Sequence, residues 1–188
     1  MSAPSQGTPA NALAFVWGLA EATVFFIVPD VWLTFVALRG VRRAFVAAAW
    51  AVLGALAGGA VMLWLGARAP EAASRLVDAV PAISPALVRH VHAQVDAQGL
   101  LAVLLGPIGG IPYKIYAVDW GARHGGWLAF LLVSVPARGV RFYLLPVLVD
   151  AIRRWIVPLT RGRLAVEAAI VAVGWLAFYA FYFVHFEG

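Results

Sequence analysis

Residues 100–119 of the chain read LLAVLLGPIGGIPYKIYAVD, a hydrophobic stretch that two prolines and a glycine pair interrupt. Proline removes a backbone donor and glycine is conformationally permissive, so residues 106–112 cannot continue a regular helix. The arms on either side, about 100–106 and 113–121, are each nearer to half a bilayer than to a whole one at about 1.5 Å per residue. We therefore predict a re-entrant hairpin over 100–121, which enters and leaves the membrane on the same side.

The same stretch contains Lys114, the one lysine in a chain whose other basic residues are all arginine. An ionisable side chain at this depth is costly unless it faces a partner or a water-filled cavity, so it marks a functional site by default. The alternative is that the long aliphatic stem of Lys114 carries its ammonium group to the membrane surface. The sequence leaves both interpretations open.

The composition is that of an integral membrane protein. Hydrophobic residues make up 63% of the chain and charged residues 12%, whereas a soluble domain has roughly 45–50% and about 25%. The net charge of +5 comes from arginines near segment ends, which suits anionic lipid headgroups. No solvated basic face is visible, so no nucleic-acid partner is expected. The absence of cysteine excludes disulfides, thiol chemistry and cysteine-ligated metal.

Three further stretches have the roughly 20 apolar residues that a membrane-spanning helix needs: 44–67, 126–149 and 164–184. A fourth, 13–38, carries Glu21 and is interrupted at Pro29-Asp30. Two Pro/Gly-interrupted hydrophobic segments in corresponding positions of two halves are typical of transporter-type binding sites. We therefore predict that 13–38 is a second re-entrant hairpin, like 100–121.

Arginine placement favours two hairpins over five spanning helices. The arginine clusters are Arg39, Arg42 and Arg43 after the first stretch, and Arg153, Arg154, Arg161 and Arg163 after 126–149. Both clusters fall on one side of the membrane only if 13–38 and 100–121 do not span it, and the positive-inside rule makes that side cytoplasmic. The segment 70–98 then lies on the outer face as an amphipathic surface segment, which Pro81 and Pro85 divide.

The predicted fold class is an all-α membrane protein. It consists of an inverted repeat of a re-entrant helical hairpin plus a transmembrane helix, with an extra C-terminal transmembrane helix. The first twelve residues carry no positive charge ahead of a hydrophobic core, so they do not read as a signal peptide. We expect a disordered tail over 1–12 and a single integral membrane domain over 13–188.

Charged residues inside the apolar stretches are the candidate functional residues: Glu21 and Asp30 on the first hairpin, Lys114 on the second, and Arg138 and Arg141 on the next helix. The two arginines are three apart and therefore share a helix face. Carboxylates on one hairpin and a cation on the other would compensate each other if the tips meet near mid-membrane. The alternative is an ion-pair network that only holds the two repeats together.

Other residues near the second hairpin allow weaker interpretations. The pair Gly109-Gly110 either lets the backbone approach a headgroup or merely forms a tight hairpin tip. Asp119 lies near the exit of the hairpin, and the sequence does not reveal its role. His90 and His92 lack further ligands nearby and predict a solvated pair rather than a metal site.

Four motifs occur in order along the chain: EATVFFIVPDVWL at 21–33, glycines at 54, 58 and 59 followed by LGAR at 65–68, GPIGGIPYK at 106–114, and RGVRF at 138–142. Together they resemble the DedA/VTT (SNARE-associated) superfamily of membrane proteins, and its short bacterial branch most. The resemblance covers about residues 13–150. The chain departs from the family in having Pro29-Asp30 in place of a glycine-plus-glutamate form, and in its shortened second loop.

The resemblance implies two opposed re-entrant hairpins and movement of a lipid phosphate, such as undecaprenyl phosphate or a phospholipid, between leaflets of the bacterial inner (plasma) membrane. It assigns the family's acidic positions to Glu21 and Asp30, its essential basic position to Lys114, and its basic pair to Arg138 and Arg141. We predict a flippase- or scramblase-like lipid transporter, in which the cations bind the phosphate headgroup and the carboxylates couple transport to protons. No catalytic residue, cofactor or metal is expected, and a homo-oligomer is left open.

Rival functions stay open at this point. One is an ion-coupled small-solute transporter built on the same opposed hairpins. Another is a membrane enzyme that acts on lipid phosphates, with Arg138 and Arg141 as a phosphate clamp, although no histidine lies in a suitable nucleophile–base arrangement and no GxSxG, P-loop or HExxH motif occurs. The third is an assembly factor, in which matched apolar residues could replace the buried charges without loss of function.

Overall fold

The structure, a computed structural model, describes residues 8–81, 83–160 and 162–186. The regular secondary structure of these ranges is entirely α-helical: α1 (Thr8–Thr23), α2 (Asp30–Ala37), α3 (Val41–Arg68), α4 (Pro70–Asp78), α5 (Pro85–Gln98), α6 (Leu100–Leu105), α7 (Tyr113–Ala122), α8 (Trp127–Thr160) and α9 (Leu164–Phe186). The all-α prediction is confirmed for this part of the chain. Residues 1–7 of the predicted tail and Arg161 lie outside the described ranges, while residues 8–12 of that tail are helical because α1 begins at Thr8.

Three of these helices are long and apolar enough to cross a membrane: α3 with 28 residues, α8 with 34, and α9 over Leu164–Val184 with 21. They contain the three stretches predicted to span. The outward surfaces of α8 and α9 are apolar, and Leu128 and Leu176 are each 71% exposed. A surface of this kind is stable against hydrocarbon rather than water. α8 continues beyond residue 149 to Thr160, and in this extension Arg154 pairs with Asp150 at 2.9 Å.

The first broken segment consists of α1 and α2, which are separated by residues 24–29. The interruption therefore begins before the predicted Pro29-Asp30 break: Pro29 ends it, and Asp30 is already the first residue of α2. α1 packs tightly on α3, because a Cβ atom on Gly54 or Gly58 would collide with the backbone of α1. Small residues allow this close approach between helices in a membrane. The tip of the segment thus lies beside the middle of α3, at the level of Gly58.

The second broken segment consists of α6 and α7, which are separated by residues 106–112 as predicted. Gly110 in this turn has a φ of 93°, a left-handed conformation that glycine adopts without strain. α7 lies along α3, and a Cβ on Gly59 would collide with the ring of Tyr113. The start of α7 therefore also lies beside the middle of α3, close to the tip of the first broken segment.

The segment 70–98 forms α4 and α5, with a break between Asp78 and Pro85. The predicted division at Pro81 and Pro85 is therefore observed. One face of each helix is buried, with Val77 on α4 and Val91 on α5 almost fully enclosed.

The arginine clusters gather at one end of the helix bundle. Phe45, in the second turn of α3, packs edge-on against Tyr143 of α8 with ring centroids 5.4 Å apart. Leu38 and Arg153 line a common cavity at this end, and Arg39 lines a second one with the start of α9. The start of α3 and the last turns of α8 are therefore neighbours.

Candidate functional site

A cavity of about 150 Å³ lies where the two broken segments meet α8 and α9. Four charged residues line it: Glu21, Lys114, Arg138 and Arg141. The remaining lining is mainly apolar and aromatic, and Gly110 contributes backbone from the second break. We refer to this space as the polar cavity. The structure therefore brings together charged residues that are up to 120 positions apart in the sequence.

Arg138 of α8 forms a buried ion pair with Glu21 of α1. Side-chain exposure is only 2% for Arg138 and 6% for Glu21. The guanidinium carbon of Arg138 also lies 5.3 Å from the ring centroid of Tyr113 and 4.7 Å from that of Phe142, which is cation–π geometry. Its Nε atom has no hydrogen-bond partner among the described residues. The pair is thus desolvated but not fully satisfied, which is costly unless a ligand supplies the missing bond.

Arg141, one turn further along α8, pairs with Asp30 at the start of α2. The Nε atom of Arg141 lies 2.8 Å from Oδ2 of Asp30, but the geometry is not that of a hydrogen bond, and neither oxygen has a hydrogen-bond partner in the described chain. Asp30 is 1% exposed, whereas Arg141 is 29% exposed. Because the arginines are three residues apart, each one takes a carboxylate from a different arm of the first broken segment.

Lys114 corrects the predicted pairing. We expected the carboxylates of the first segment to compensate Lys114, but they pair with the arginines of α8 instead. The ammonium group of Lys114 donates a hydrogen bond to the backbone oxygen of Phe25 at 2.7 Å. That oxygen is available because α1 ends at Thr23 and the chain is not helical at Phe25.

Lys114 does not snorkel to the surface, since it is 1% exposed. No carboxylate oxygen of the described residues lies within 4.0 Å of its Nζ atom. An ammonium group has three donors, and the bond to Phe25 uses one of them. With Glu21 and Asp30 matched by Arg138 and Arg141, Lys114 leaves one positive charge in excess beside the polar cavity. The site is therefore suited to an anion.

Gly109 and Gly110, the glycine pair of the second break, differ in their position relative to the polar cavity. Gly110 lines the polar cavity, and its positive φ explains why glycine stands there. Gly109 is exposed in the same turn. Gly110 is therefore placed where its backbone could approach a headgroup in the cavity. Both glycines also lie in the tight turn of the second break, as the alternative interpretation requires.

Sequence reasoning missed the contribution of α9, which was predicted only as an extra C-terminal transmembrane helix. Phe178, Tyr179 and Tyr182 line the polar cavity. The backbone amide of Val28, in the first break, donates a hydrogen bond to the hydroxyl of Tyr179 at 3.1 Å. Tyr182 lies four residues after Phe178 and three after Tyr179, a spacing that could have indicated one helix face.

The link between α4 and α5 also borders the polar cavity, with Val80, Pro81 and Ile83 in its lining. We had predicted this region as a surface segment along the interface. The proline pair was a signal for a break between two helices, but only the fold shows that the break covers a cavity.

Asp119 belongs to a separate cluster at the end of α7. It pairs with His92 of α5 and, at 2.8 Å from Oδ2 to Nε, with Arg123. Arg123 also pairs with Asp96, and its side-chain hydrogen bonds to Asp96 and Asp119 raise the pKa of Arg123 above its usual value. The sequence predicted a solvated histidine at position 92, but His92 pairs with Asp119. The cluster ties α5 to α7 and lies away from the polar cavity.

The described residues contain no group of three or more histidine, aspartate or glutamate side chains placed to hold a metal ion. Comparison with models of protein families, with curated proteins and with solved structures finds no match to this chain. The chemistry that the arrangement offers is recognition of a small anionic group by cations in a largely apolar setting.

Proposed function

We propose that this protein is a membrane lipid transporter that binds the phosphate headgroup of a lipid in the polar cavity and moves it between leaflets. The observation that carries the proposal is Lys114, a buried cation whose neighbouring carboxylates are already paired with arginines. A phosphate oxygen would accept from its remaining donors and from the unpaired Nε of Arg138. No bond is made or broken in this mechanism.

We also propose that the two broken segments are re-entrant hairpins that enter from opposite sides and form an inverted repeat. Two observations support this topology. The described arginines of both clusters gather at one end of the bundle, as expected if neither segment spans the membrane. The tips of both segments also lie beside the middle of α3.

Membership of the DedA/VTT superfamily is part of the same proposal, on the motifs quoted above. It makes undecaprenyl phosphate or a phospholipid the substrate and the bacterial inner membrane the location. The carboxylates would then serve as proton carriers. A proton on Glu21 or Asp30 removes the charge that holds the matching arginine, so that the arginine becomes available to the headgroup.

The substrate site is tested by reconstituting the protein in liposomes with a fluorescent short-chain phosphatidic acid. We expect Lys114→Met to lower the rate of transfer between leaflets by about ten-fold or more, because hydrogen bonds to charged groups contribute about 1.5–3 kcal/mol. Arg89→Met is the matched control, since it also removes one positive charge but from an exposed position on α5. Equal rates in wild type, Lys114→Met and Arg89→Met would remove Lys114 from the site.

The proton role has its own test in the same liposomes, with and without a pH gradient. Asp30→Asn and Glu21→Gln each remove one titratable group while keeping the side-chain shape. If these carboxylates carry protons, the gradient should accelerate transfer by the wild type and have no effect on the double variant. Gradient dependence that persists in a folded double variant would refute proton coupling through these residues.

The topology is tested with single cysteines, which the cysteine-free chain makes simple. Arg39→Cys and Arg163→Cys should react with a membrane-impermeant reagent from one side, and Arg89→Cys from the other. All three positions are exposed. Five spanning segments would instead separate Arg39→Cys from Arg163→Cys, and that result would refute the hairpins.

The rival functions are separated by what is transported or released. Saturable uptake of a small anion into lipid-only liposomes, without lipid transfer, would favour a solute transporter. Release of inorganic phosphate from the lipid in detergent would favour an enzyme.

A further inference from the structure

A second cavity of about 550 Å³ runs along α8 and α9 next to α2. Most of its lining is aliphatic. Val140, Leu144 and Leu148 contribute at helical spacing from α8, and Val171 contributes from α9. Only two charged residues line it, Asp30 and Arg141. We call this cavity the α8–α9 groove.

The α8–α9 groove adjoins the polar cavity. Arg141 and Phe178 line both spaces. From this junction the groove follows α8 toward Val149, which together with Val171 also borders a cavity beside Arg153. The groove therefore leads from the polar cavity to the bundle end where the arginines gather.

We propose that the α8–α9 groove holds the hydrocarbon chain of the same lipid whose phosphate occupies the polar cavity. The substrate class is then a lipid phosphate whose tail is held by the protein while its headgroup is at mid-bundle. This inference rests on the proposed function. The charge at one end and the aliphatic lining along the rest match the two parts of such a molecule.

The dimensions of the groove fit this occupant. Residues 140–148 of α8 extend for about 12 Å, close to half of the ~30 Å hydrocarbon core of a bilayer. The volume lies within the range of about 300–1,000 Å³ that is usual for ligand pockets. A second copy of the chain or a bulk lipid would match the aliphatic lining, but neither accounts for the position of the groove against a charged cavity with which it shares Arg141 and Phe178.

Two helical glycines provide a matched pair of test positions. Gly174 lines the groove, and a Cβ atom added there would meet no heavy atom within 4 Å. Gly139 of α8 has equally open surroundings but does not border either cavity. Gly174→Trp should therefore fill the groove without displacing backbone, whereas Gly139→Trp adds the same bulk elsewhere.

The experiment measures dissociation constants of dodecyl phosphate and glycerol 3-phosphate for the full chain in a neutral maltoside detergent. A buried methylene changes affinity by a factor of about four. We therefore expect Gly174→Trp to weaken dodecyl phosphate binding by about ten-fold or more and to leave glycerol 3-phosphate binding unchanged. Gly139→Trp should change neither value.

A second measurement does not depend on the folding of Gly174→Trp. Trp175 lines the groove, so an alkyl phosphate brominated in its chain should quench its fluorescence in the otherwise unmodified protein. The quenched signal should be the part that Trp175→Phe lacks. Quenching that is identical in wild type and Trp175→Phe would overturn the tail assignment.

The remaining outcomes separate the two proposals. If the wild type binds both ligands and Gly174→Trp binds dodecyl phosphate normally, the groove does not hold the tail, although the headgroup site stands. If the same variant instead changes from dimer to monomer with unchanged affinity, the groove is an interface between copies and the inference is wrong. If the wild type binds neither ligand, the proposed function itself fails.

Discussion

Replacing Glu21 or Arg138 alone should destabilise this protein far more than replacing both. Glu21→Leu leaves Arg138 as an uncompensated cation in a site where it is 2% exposed. Arg138→Met leaves the Glu21 carboxylate, 6% exposed, without its partner. The double variant removes both charges and keeps two apolar side chains of similar length, so that neither charge remains desolvated.

The magnitudes follow from the burial of the pair. Breaking a buried ion pair by removing one partner costs about 3–5 kcal/mol, whereas replacing both partners with apolar residues is often neutral or stabilising. Arg138→Met also loses cation–π contacts with Tyr113 and Phe142, worth about 2 kcal/mol when desolvated. At about 2–4 °C per kcal/mol for a chain of this length, Glu21→Leu should melt about 6–20 °C lower, and Arg138→Met, which also loses the cation–π contacts, about 10–28 °C lower. The double variant should recover most of that loss.

Thermal unfolding in detergent and lipid transfer in liposomes together decide what the pair does. We expect the double variant to be folded but to transfer lipid at least about ten-fold more slowly than wild type, because Arg138 no longer donates to the phosphate even though Lys114 and Arg141 remain. Transfer at the wild-type rate would show that the pair only holds the helices together. Melting of the double variant as low as that of the single variants would refute the energetic reasoning.

Three further changes test the packing around the site. Gly54→Ala should lower the free energy of unfolding by about 1–3 kcal/mol, because the new Cβ would lie 2.8 Å from a backbone carbon of α1. Gly139→Ala is the control, because its surroundings are open and the free energy of unfolding should not fall. Equal losses in the two variants would contradict the close packing of α1. Asp119→Asn should accelerate amide hydrogen exchange in α5 by about ten-fold or more, since charge-assisted hydrogen bonds contribute about 1.5–3 kcal/mol, and unchanged exchange would show that its cluster does not hold α5. Thr34→Val should lower the free energy of unfolding by about 1–3 kcal/mol, because the indole N–H of Trp175 loses its acceptor at 3.0 Å. Thr34→Ser keeps a hydroxyl and should be close to neutral. Similar losses of stability in both variants would rule out the hydrogen bond as the cause.

Much of the architecture could be predicted from local sequence, because the physical causes are local. Length and apolarity identify three helices able to span a membrane. Proline and glycine identify the interruption at 106–112, and Pro29 marks the end of the one at 24–29, since they alter the backbone at the positions where they stand. The end of α8 was predicted too early because charges at Asp150, Arg153 and Arg154 interrupt the apolar run, although the helix accommodates them and Arg154 forms an i,i+4 pair with Asp150.

The candidate charged residues could also be found from the sequence, but their partners could not. Burial of a charge is expected to require compensation, and the sequence offered two carboxylates and three cations in apolar stretches. Which carboxylate pairs with which cation depends on how the first broken segment packs against α8. That is a long-range property, and the expected pairing with Lys114 was wrong.

What the sequence determined by itself was therefore an all-helical chain with three helices able to span a membrane, its two breaks and its set of buried charges. Only the tertiary structure decided that Arg138 and Arg141 take the carboxylates, that Lys114 reaches the backbone of Phe25, and that the aromatics of α9 enclose the cavity. The reason is physical: helix breaks and apolarity arise from neighbouring residues, whereas the partner of a desolvated charge is set by which helices pack against each other.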